Sequence, residues 1–282
     1  MQYRAEKNKI RLASLSELDP VKTFECGQCF RWNADENGVY TGVARGRAAR
    51  IWAEGDSVYI DADEKDVAEI WRDYFDLGRD YCAIVFSGGE YLEACARYGA
   101  GIRILRQDGW EALCSFIISQ CNNIPRIKRI IETLCREFGD PISAFGETLY
   151  TFPPAERIAS LEPDDLSPLR CGYRASYIIE AARAVSTGRL NLEVLADCDY
   201  DTAVRELKKL KGVGDKVANC VALYGLHNMS GFPIDVWMKR ALKKHFPEDF
   251  DPRSLGPFAG LAQQYIFYYT RNGKEGMGNE RL

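Results

Sequence analysis

The segment Leu207-Lys-Lys-Leu-Lys-Gly-Val-Gly-Asp-Lys-Val-Ala-Asn-Cys-Val-Ala-Leu223 carries the most specific pattern in the chain. Helix-forming residues lead into Gly212-Val213-Gly214, and a second helical pattern begins immediately after them. Two glycines around a small apolar residue allow a tight turn and close approach of the backbone. The exposed amides of this turn and the N-terminus of the following helix would form a site for an anion such as a phosphate. A bare Gly-Val-Gly is also typical of a plain helix–turn–helix, but the register Leu-x-Gly-Val-Gly-x-Lys-x-Ala is more specific.

The composition around this segment is that of an ordinary globular protein. The chain has 282 residues, of which 46% are hydrophobic and 28% charged, enough apolar mass for two domains. This composition excludes a disordered or collagen-like chain. No apolar run of about 18 residues predicts a transmembrane helix, and residues 1–12 lack the apolar stretch of a signal peptide. Ten cysteines without an export signal favour a reducing, cytoplasmic compartment and mostly free thiols.

The net charge of −4 hides a local excess of basic residues. Residues 201–245 contain nine Lys or Arg and four Asp or Glu, a local charge of +5, so the rest of the chain carries −9. A uniformly acidic chain would argue against a nucleic-acid partner, because such partners usually leave a basic footprint. The basic segment that includes the Gly-Val-Gly turn instead allows an anionic partner that is bound mainly at one face.

The first hundred residues predict a mixed α+β domain. Residues 39–52 and 57–62 are rich in Val, Ile, Tyr and Trp and flank the turn signal Glu54-Gly-Asp56, so we expect two neighbouring antiparallel strands. Apolar residues recur at helical spacing over 63–75 and 91–98, which predicts two helices.

From residue 106 onward the pattern predicts helices with no strand of convincing length between them. We therefore place a domain boundary near residue 105, with an antiparallel-sheet α+β domain over 1–105 and an all-α domain over 106–282. The predicted helices are 109–120, 123–138, 143–145, 173–187, 201–210, 216–226, 235–245 and 255–270.

The turn and the loop Gly231-Phe-Pro-Ile-Asp235 together resemble the helix–hairpin–helix and Gly/Pro…Asp loop of the base-excision DNA glycosylase superfamily. Lys216 and Asp235 are 19 residues apart, as is the catalytic pair of that superfamily. Lys216 marks the bifunctional, lysine-bearing branch, within which the chain most resembles the eukaryotic-type 8-oxoguanine DNA glycosylases over nearly its whole length. The matching segments are Gly27-Gln-Cys-Phe-Arg-Trp32, Leu105-Arg-Gln-Asp108, Asn122-Asn-Ile-Pro-Arg126, Gly172-Tyr-Arg-Ala175, Gly212-Val-Gly-Asp-Lys-Val-Ala218, Pro233-Ile-Asp-Val236 and Gly260-Leu-Ala-Gln263 with Phe267.

The resemblance implies an enzyme that excises 8-oxoguanine and then nicks the DNA strand. Lys216 would be the nucleophile, because an amine can displace the base, form a Schiff base with the sugar and so permit β-elimination. Such a lysine must react in its neutral form, which the positive end of a helix N-terminus favours. Asp235 would cap the next helix and stabilise the positive charge that develops on the sugar. Without the family, Lys216 would more often be a solvated lysine or a phosphate contact.

A flipped-out base needs a pocket that distinguishes 8-oxoguanine from guanine. The lesion carries a hydrogen-bond donor at N7, where guanine carries an acceptor, and the resemblance assigns the backbone carbonyl of Gly27 to that position. It further implies that Gln263 binds the Watson–Crick edge and that Phe267 and Cys220 sandwich the ring. Periodicity alone would place Phe267 and Cys220 in a hydrophobic core, and Gly27 in an ordinary turn.

The resemblance also assigns residues to the vacated space in the duplex and to the opposite strand. Tyr173 corresponds to the family's wedge, and Arg126 and Arg174 match arginines that contact the estranged cytosine, to which arginine can present two donors. Cys121 stands where the family usually begins a run of asparagines, so Asn122 is the candidate for filling the gap. Trp237 stands where a histidine is common. The predicted DNA contacts are Asn122, Arg126, Tyr173, Arg174, Gly212, Val213, Gly214 and Trp237.

No cofactor or metal is expected. The chain has two histidines and no cysteine after Cys220, which excludes the iron–sulfur cluster of other branches of the superfamily. Whether backbone carbonyls of the hairpin bind a monovalent ion does not follow from the side chains. The expected partner is duplex DNA that contains 8-oxoguanine, opposite cytosine, and the expected state of the protein is a monomer.

Three alternatives stay open. Cys26 and Cys29 could form a redox pair, although the βαβ setting of a thioredoxin-type site is missing. The hairpin could belong to a DNA-binding module without enzymatic activity, which would have no reason to keep Lys216 and Asp235 together. The third alternative is a glycosylase for other damaged purines, such as alkylated or mispaired bases, in which the lysine is typically absent. The opposite-base preference, the strength of the lyase step and activity on formamidopyrimidines do not follow from the sequence.

Overall fold

The N-terminal part is built on a five-stranded antiparallel sheet. The computed structural model describes residues 9–273 of the chain. The strands are β1 (Lys9–Ser14), β2 (Trp32–Ala34), β3 (Tyr40–Ala44), β4 (Arg47–Glu54) and β5 (Ser57–Asp61). They lie in the spatial order β1-β5-β4-β3-β2, and the short helix α1 (Pro20–Glu25) connects β1 to β2.

The prediction of a single strand over 39–52 is wrong, because the chain reverses within it. Ala44 pairs with Arg47 across a two-residue turn, so the segment forms two strands, β3 and β4. Arg45 and Gly46 have positive φ values of 50° and 73°, the type I′ geometry that fits the twist of a β-hairpin. The predicted antiparallel pairing with 57–62 is confirmed by the register of β4 against β5.

An aromatic cluster fills the space beneath the sheet. Phe24 stacks on Trp32 with the ring centroids 4.5 Å apart, and Trp71 and Phe75 pack against the Trp32 ring. Gly42 in β3 is required here, because a Cβ atom at this position would lie 2.3 Å from the Trp32 ring. Trp71 belongs to α2, which consists of Glu64–Asp66, a π-helical turn at Val67–Trp71 and Arg72–Tyr74.

The rest of the described chain is mainly helical, which confirms the predicted fold class of an α+β part with an antiparallel sheet followed by a helical part. The helices are α3 (Gly89–Gly99), α4 (Gly109–Ser119), α5 (Ile124–Phe138), α6 (Ala155–Ala159), α7 (Arg174–Ser186), α8 (Leu192–Ala196), α9 (Tyr200–Leu207), α10 (Asp215–Cys220, continued by a π-helical turn at Val221–Gly225), α11 (Val236–His245) and α12 (Ala259–Asn272). Two 3-10 segments, Pro163–Leu169 and Pro252–Phe258, connect them.

The prediction of a helix at 143–145 is wrong, as is the prediction that no strand interrupts the helical part. β6 (Pro141–Ala144) and β7 (Glu147–Tyr150) form a two-stranded hairpin. Phe145 and Gly146 have φ values of 57° and 80°, so another two-residue turn with two positive φ angles closes it. The Arg50 guanidinium of β4 lies 3.1 Å from the Glu147 carboxylate, which ties this hairpin to the main sheet.

Two hydrophobic cores lie within the described residues. One lies under the sheet, and the other lies among the helices and includes Leu92, Cys95 and Ile104. α3 packs closely on α12, since a Cβ atom at Gly99 would lie 2.4 Å from the Tyr265 ring. Residues before position 106 therefore contribute to the helical core, and the boundary near residue 105 stays a prediction. Over residues 9–273, no helix combines the length and apolar character needed to cross a membrane.

Candidate active site

The Gly-Val-Gly turn between α9 and α10 is anchored on one side by close packing. Gly212 has a φ of +82°, and a Cβ atom there would lie 2.2 Å from the Tyr177 ring, so only glycine fits without displacing that ring. Val213 is buried, and its amide donates to the carbonyl of Leu210 at 3.1 Å. The turn is therefore a fixed part of the protein rather than a mobile loop.

The other side of the turn is open to an incoming group. Gly214 is exposed and caps α10, and no atom beyond its chain neighbours lies within 4 Å of the position of a Cβ atom. Next to it, the carboxylate of Asp215 pairs with Lys208 at 2.5 Å, and both side chains are exposed. The amide at the start of α10 can thus be approached by an anion such as a phosphate.

Lys216 and Asp235 line the same pocket, which has a volume of about 350 Å³. Lys216 lies in the first turn of α10 and is exposed. Asp235 is the N-cap of α11, where its Oδ1 accepts a hydrogen bond from the Met238 amide at 2.8 Å. That bond fixes the carboxylate at the pocket wall. Trp237 also lines the pocket, and the Arg240 guanidinium lies 5.2 Å from its ring centroid.

All four residues predicted to bind the base line this pocket as well. Gly27 has a φ of +78°, and a Cβ atom built there would be 3.8 Å from the Phe267 ring, so the Gly27 backbone lies against that ring. Gln263 is buried in α12, four residues before Phe267, and Cys220 is buried in α10, four residues after Lys216. The structure thus brings together one backbone turn, one amide, one ring and one thiol around the Lys216 and Asp235 side chains.

Several pocket residues did not emerge from the sequence. Tyr224, Phe116 and Phe30 form an aromatic wall, in which Phe116 stacks on Tyr224 with the centroids 5.4 Å apart and Phe30 meets Phe116 edge-on at 5.8 Å. Arg271 of α12 adds a second cation to the lining. Tyr224 could have been found from its spacing, because it follows Cys220 by four residues and therefore lies on the same face of the helix.

The loop that carries Gly27 is held by the side chain of the next residue. Gln28 is fully buried, and its Nε2 donates to the carbonyls of Thr23 and Arg103 at 3.0 and 2.7 Å. Its Oε1 accepts from the Leu105 amide at 2.9 Å. A buried amide with all of these partners ties the loop to the strand-like segment before α4.

Burial keeps two thiols that line the pocket, Cys220 and Cys26, and the nearby thiol of Cys29 in their protonated form. Burial raises the pKa of Cys220 to about 12, with the Lys216 charge opposing and the Asp235 charge assisting this shift. Burial likewise raises the pKa of Cys26 to about 12 and that of Cys29 well above its usual range. Because thiolates are the reactive species, the arrangement offers nothing that favours a redox pair at Cys26 and Cys29.

Arg174 and Tyr173 lie outside the pocket, next to the loop between α4 and α5. Tyr173 is 53% exposed, and the Arg174 guanidinium lies 4.6 Å from its ring centroid. Arg174 itself is buried, and its guanidinium donates to the carbonyls of Gln120 and Cys171 at 3.1 and 3.2 Å. A guanidinium has five N–H donors, so Arg174 can keep these carbonyls and still offer a donor to a base of the opposite strand.

Arg126 and Asn122 flank the same loop. Arg126 is exposed in the first turn of α5, where its Nη2 donates to the Arg170 carbonyl at 3.1 Å. Asn122 lines the pocket, and its Nδ2 donates to the Ile118 carbonyl at 3.2 Å. Cys121 is exposed and has a positive φ of 46°. Asn122 thus lies between the pocket and the Tyr173–Arg174 pair.

Over the described range, no group of three or more His, Cys, Asp and Glu residues is arranged to hold a metal ion. The expectation of a reaction without metal or cofactor stays a prediction.

Comparison with known proteins identifies the family of the chain. Residues 11–113 match the N-terminal domain of 8-oxoguanine DNA glycosylase, and residues 114–254 match the HhH-GPD superfamily of base excision DNA repair proteins. The chain is 30% identical to N-glycosylase/DNA lyase OGG1 of Arabidopsis thaliana, in a match that covers 90% of this chain and 74% of the relative. It is 39% identical to the N-glycosylase/DNA lyase of Saccharomyces cerevisiae over 52% of this chain, a match that spans only 42% of the yeast protein.

Two solved structures match nearly the whole chain. MBOgg1 in complex with a low-affinity DNA ligand superimposes with a TM-score of 0.87 at 42% identity and covers 96% of each chain. The 8-oxoguanine glycosylase/lyase of Clostridium acetobutylicum, bound to double-stranded DNA with cytosine opposite 8-oxoG, has a TM-score of 0.86 at 34% identity and covers 94% of this chain and 96% of that one. The chain therefore belongs to the HhH-GPD superfamily of base excision DNA repair proteins and carries the N-terminal domain of the 8-oxoguanine DNA glycosylases.

Proposed function

We propose that this protein is a bifunctional DNA glycosylase and abasic-site lyase that removes 8-oxoguanine from duplex DNA. The observation that carries the proposal is the pocket in which Lys216 and Asp235 face Gly27, Gln263, Phe267 and Cys220. A nucleophile, a carboxylate and a purine-sized cavity are the parts that base excision needs. The names of the OGG1-type relatives support the same reaction.

The reaction assigns distinct steps to Lys216. Its neutral amine attacks C1′ of the deoxyribose, the C–N glycosidic bond breaks, and the bonding electrons leave with the base, which takes up a proton. The resulting amine adduct opens to a Schiff base at C1′. This imine acidifies the C2′ hydrogens, so removal of one proton expels the 3′ phosphate and nicks the strand. Lys216 lies in the first turn of α10 and lines the pocket, where a flipped-out nucleotide would present its sugar to the amine.

Asp235 stabilises the charge that develops during excision. Positive charge accumulates on the sugar as the glycosidic bond lengthens, and a fixed carboxylate at the pocket wall lowers the free energy of that state. The hydrogen bond from the Met238 amide to Oδ1 holds the carboxylate in place before DNA arrives. Such preorganisation is what makes an electrostatic contribution effective.

We give the residues that bind the base the roles that the family resemblance implies. The Gly27 carbonyl would accept from the N7 donor of 8-oxoguanine, Gln263 would bind the Watson–Crick edge, and Phe267 and Cys220 would cover the two faces of the ring. The buried side chain of Gln28 holds the Gly27 loop in one conformation. A fixed loop is required because the site must distinguish 8-oxoguanine from guanine by the proton at N7.

The partner that we propose is duplex DNA with 8-oxoguanine opposite cytosine. Tyr173 would enter the stack, Asn122 would fill the vacated space, and Arg126 and Arg174 would contact the cytosine. Gly212, Val213 and Gly214 would bind a phosphate, and Trp237 would lie against the DNA backbone. We further propose that the protein acts as a monomer in a reducing, cytoplasmic compartment, which its ten free cysteines support.

The test is a duplex that carries one 8-oxoguanine, compared with duplexes that carry guanine, 3-methyladenine or hypoxanthine at the same position. Release of 8-oxoguanine with strand nicking supports the proposal. Excision of only the other damaged bases would assign the protein to a different glycosylase activity. Binding of the duplex without release of any base would leave a DNA-binding module and contradict the proposal.

A further inference from the structure

Three buried side chains at the pocket form a hydrogen-bonded cluster, and two of them, Tyr224 and Gln264, have no role in the reaction described so far. Tyr224 lies in the π-helical turn that continues α10, and Gln263 and Gln264 are neighbours in α12. Tyr224 is 4% exposed, Gln263 is 3% exposed and Gln264 is fully buried. We call these three residues the amide cluster. Of them, Tyr224 and Gln263 also line the pocket.

The orientation of the Gln264 amide is fixed by the loop of Gly27. Its Nε2 donates to the Cys26 carbonyl at 2.8 Å, and an amide oxygen cannot take that place because two acceptors would then face each other. The Oε1 of Gln264 must therefore point the other way, towards Tyr224, whose hydroxyl donates to it. The one proton of the phenol is committed to Gln264.

The Tyr224 hydroxyl therefore has no second proton to donate to Gln263. The Oε1 of Gln263 lies 3.2 Å from the Tyr224 hydroxyl oxygen, the same oxygen whose proton goes to Gln264. A phenol has one donor and can in addition accept. The pairing becomes favourable only if the Gln263 amide turns by half a rotation about its last bond, since its Nε2 can donate to the phenolic oxygen over that distance.

We propose that Tyr224 and Gln264 set the orientation of the Gln263 amide and thereby the purine edge that the pocket accepts. This inference rests on the proposed function of the pocket. With Nε2 donating to Tyr224, the oxygen of Gln263 lies on the side away from Tyr224 and acts as an acceptor towards the bound base. A purine with an N1–H donor on its Watson–Crick edge, as in 8-oxoguanine, satisfies that acceptor. A purine with an unprotonated N1, as in 8-oxoadenine, places two acceptors against each other and is rejected.

The cluster also couples the two ends of the pocket. Gln264 binds the carbonyl of Cys26, the residue before Gly27, so the loop that meets the 8-oxo side of the base is tied to the amide that meets its other edge. Stacking of Tyr224 on Phe116, with the rings inclined by 25°, keeps the phenol in register with both glutamines. Tyr224 and Gln264 are positioning residues in this scheme, because they act on the base through Gln263.

The experiment compares the parent protein with Tyr224→Phe, which keeps the ring and removes only the hydroxyl. Single-turnover excision is measured on duplexes with 8-oxoguanine and with 8-oxoadenine, which share the 8-oxo group and differ in the Watson–Crick edge. Cleavage of a duplex with a preformed abasic site is measured in parallel. We expect the ratio of the two excision rates to fall roughly tenfold in Tyr224→Phe, while abasic-site cleavage stays within about twofold because no base is present. An unchanged ratio would overturn the inference.

A second measurement separates this inference from the proposed function. In the 15N-labelled free protein, the Gln263 Nε2 protons should report a hydrogen bond to Tyr224 that disappears in Tyr224→Phe. Identical side-chain amide shifts in the two proteins would overturn the inference even if the parent excises 8-oxoguanine. Absence of excision by the parent would instead overturn the proposed function. Tyr98→Phe is the matched control, since its hydroxyl donates to the Asn272 carbonyl at 2.9 Å outside the pocket, and it should change neither measurement.

Discussion

Cys26 lines the proposed base pocket and Cys29 is buried in the core under the sheet, and desolvation raises the pKa of both side chains. Burial raises the pKa of both thiols, and the Cys26 thiol donates to the Thr23 carbonyl at 3.1 Å. A buried, protonated thiol is unreactive and contributes only to packing, even when a second cysteine lies three residues away. The same reasoning applies to Cys220, whose role in the proposal is to cover one face of the base.

These thiols should therefore be inert in the folded protein. We expect iodoacetamide at pH 8 to label the exposed Cys82 and Cys121, while Cys26, Cys29 and Cys220 react only after denaturation. Peptide mapping of native and denatured samples measures this. Rapid native labelling of Cys26 or Cys29, or an intramolecular disulfide between them, would revive the redox alternative.

Arg126 should influence the choice of the opposite base more than the excision chemistry. The side chain is exposed at the start of α5 and lies outside the pocket. We expect Arg126→Ala to reduce the preference for cytosine over adenine opposite the lesion by roughly tenfold, with abasic-site cleavage nearly unchanged. Excision rates on four duplexes that differ only in the opposite base test this, and equal loss on all four would contradict the role.

At the scale of elements, the two glycines of the hairpin, Gly212 and Gly214, have different roles. Gly212 is needed for the fold, because its φ is positive and the Tyr177 ring occupies the space of a Cβ atom. Gly214 has free space around it and no positive φ, so the folded protein does not require glycine there. The requirement at Gly214 would come from an incoming phosphate.

The two glycines predict a clean separation of stability from DNA binding. Gly212→Ala should lower the free energy of unfolding by about 2 to 3 kcal/mol through overpacking and an unfavourable φ. Gly214→Ala should leave the melting temperature unchanged but weaken duplex binding roughly fivefold, because the methyl group blocks close approach to the backbone amides. Thermal unfolding and fluorescence anisotropy measure the two effects. Unaltered DNA affinity in Gly214→Ala would remove the phosphate contact from the account.

Helices were the elements that the sequence predicted best. Helical patterns in the sequence predicted α4, α5 and α11. The structure shows that Asp108, Asn123 and Asp235 cap them, each accepting from an amide three residues later, and of these caps only Asp235 was predicted. The two hairpins at 39–52 and 141–150 were missed, because Arg45-Gly46 and Phe145-Gly146 are not the Asn-Gly or Asp-Gly pairs that usually signal such turns. Their positive φ angles are visible only in the structure.

The sequence predicted some residues of the candidate site and missed others. The family resemblance identified Lys216, Asp235, Gly27, Gln263, Phe267 and Cys220, and the structure gathers them around one pocket. Tyr224 and Gln264 were missed, because a buried tyrosine and glutamine in apolar helices resemble core residues in a sequence. Their hydrogen bonds join segments that are 39 or more residues apart, which no local pattern encodes.

At the scale of the whole molecule, the junction between the sheet and the helical part contains a buried ionic cluster. Asp76 is 4% exposed and accepts from the Tyr81 hydroxyl at 2.9 Å and from the Arg106 guanidinium at 2.9 Å. The His227 Nε2 lies 3.4 Å from it. Burial alone would raise the pKa of Asp76, but the neighbouring His227, Tyr81 and Arg106 outweigh burial and hold that pKa below its usual value of 3.8.

Asp76 should accordingly contribute stability that depends on pH. A carboxyl whose pKa is lowered by folding stabilises the native state above its unfolded pKa, and that contribution is lost as the pH falls below about 4. We expect Asp76→Asn to lower the free energy of unfolding by about 3 kcal/mol at pH 7, because Arg106 loses its buried counterion. In urea unfolding experiments, the difference in the free energy of unfolding between Asp76→Asn and the parent should be smaller at pH 3 than at pH 7. An equal gap at both pH values would show that the charge is not responsible.

The uneven distribution of charge explains how an acidic protein can bind DNA. The +5 segment at 201–245 contains the hairpin, Lys216 and the exposed basic residues of α11, whereas the remainder carries −9. DNA affinity in such a protein depends on a small set of phosphate contacts and should fall steeply with salt.

The salt dependence can be assigned to individual side chains. Lys239→Ala on α11 should reduce the slope of log K against log salt by about 1, since one phosphate contact is lost. Lys65→Ala should not alter the slope, because this exposed lysine of α2 lies outside the basic segment and pairs with Glu69 at 4.0 Å. Equal slopes for all three proteins would place the DNA elsewhere on the surface.

Covalent trapping determines whether Lys216 attacks the sugar. The parent protein is incubated with an 8-oxoguanine duplex in borohydride, which reduces a Schiff base to a stable protein–DNA adduct. We predict an adduct that peptide mapping places on Lys216 and that Lys216→Gln does not form, although this variant still binds the duplex. Lys209→Gln, which alters an exposed lysine paired with Glu206, should trap as well as the parent. An adduct of full yield in Lys216→Gln would show that Lys216 is not the nucleophile.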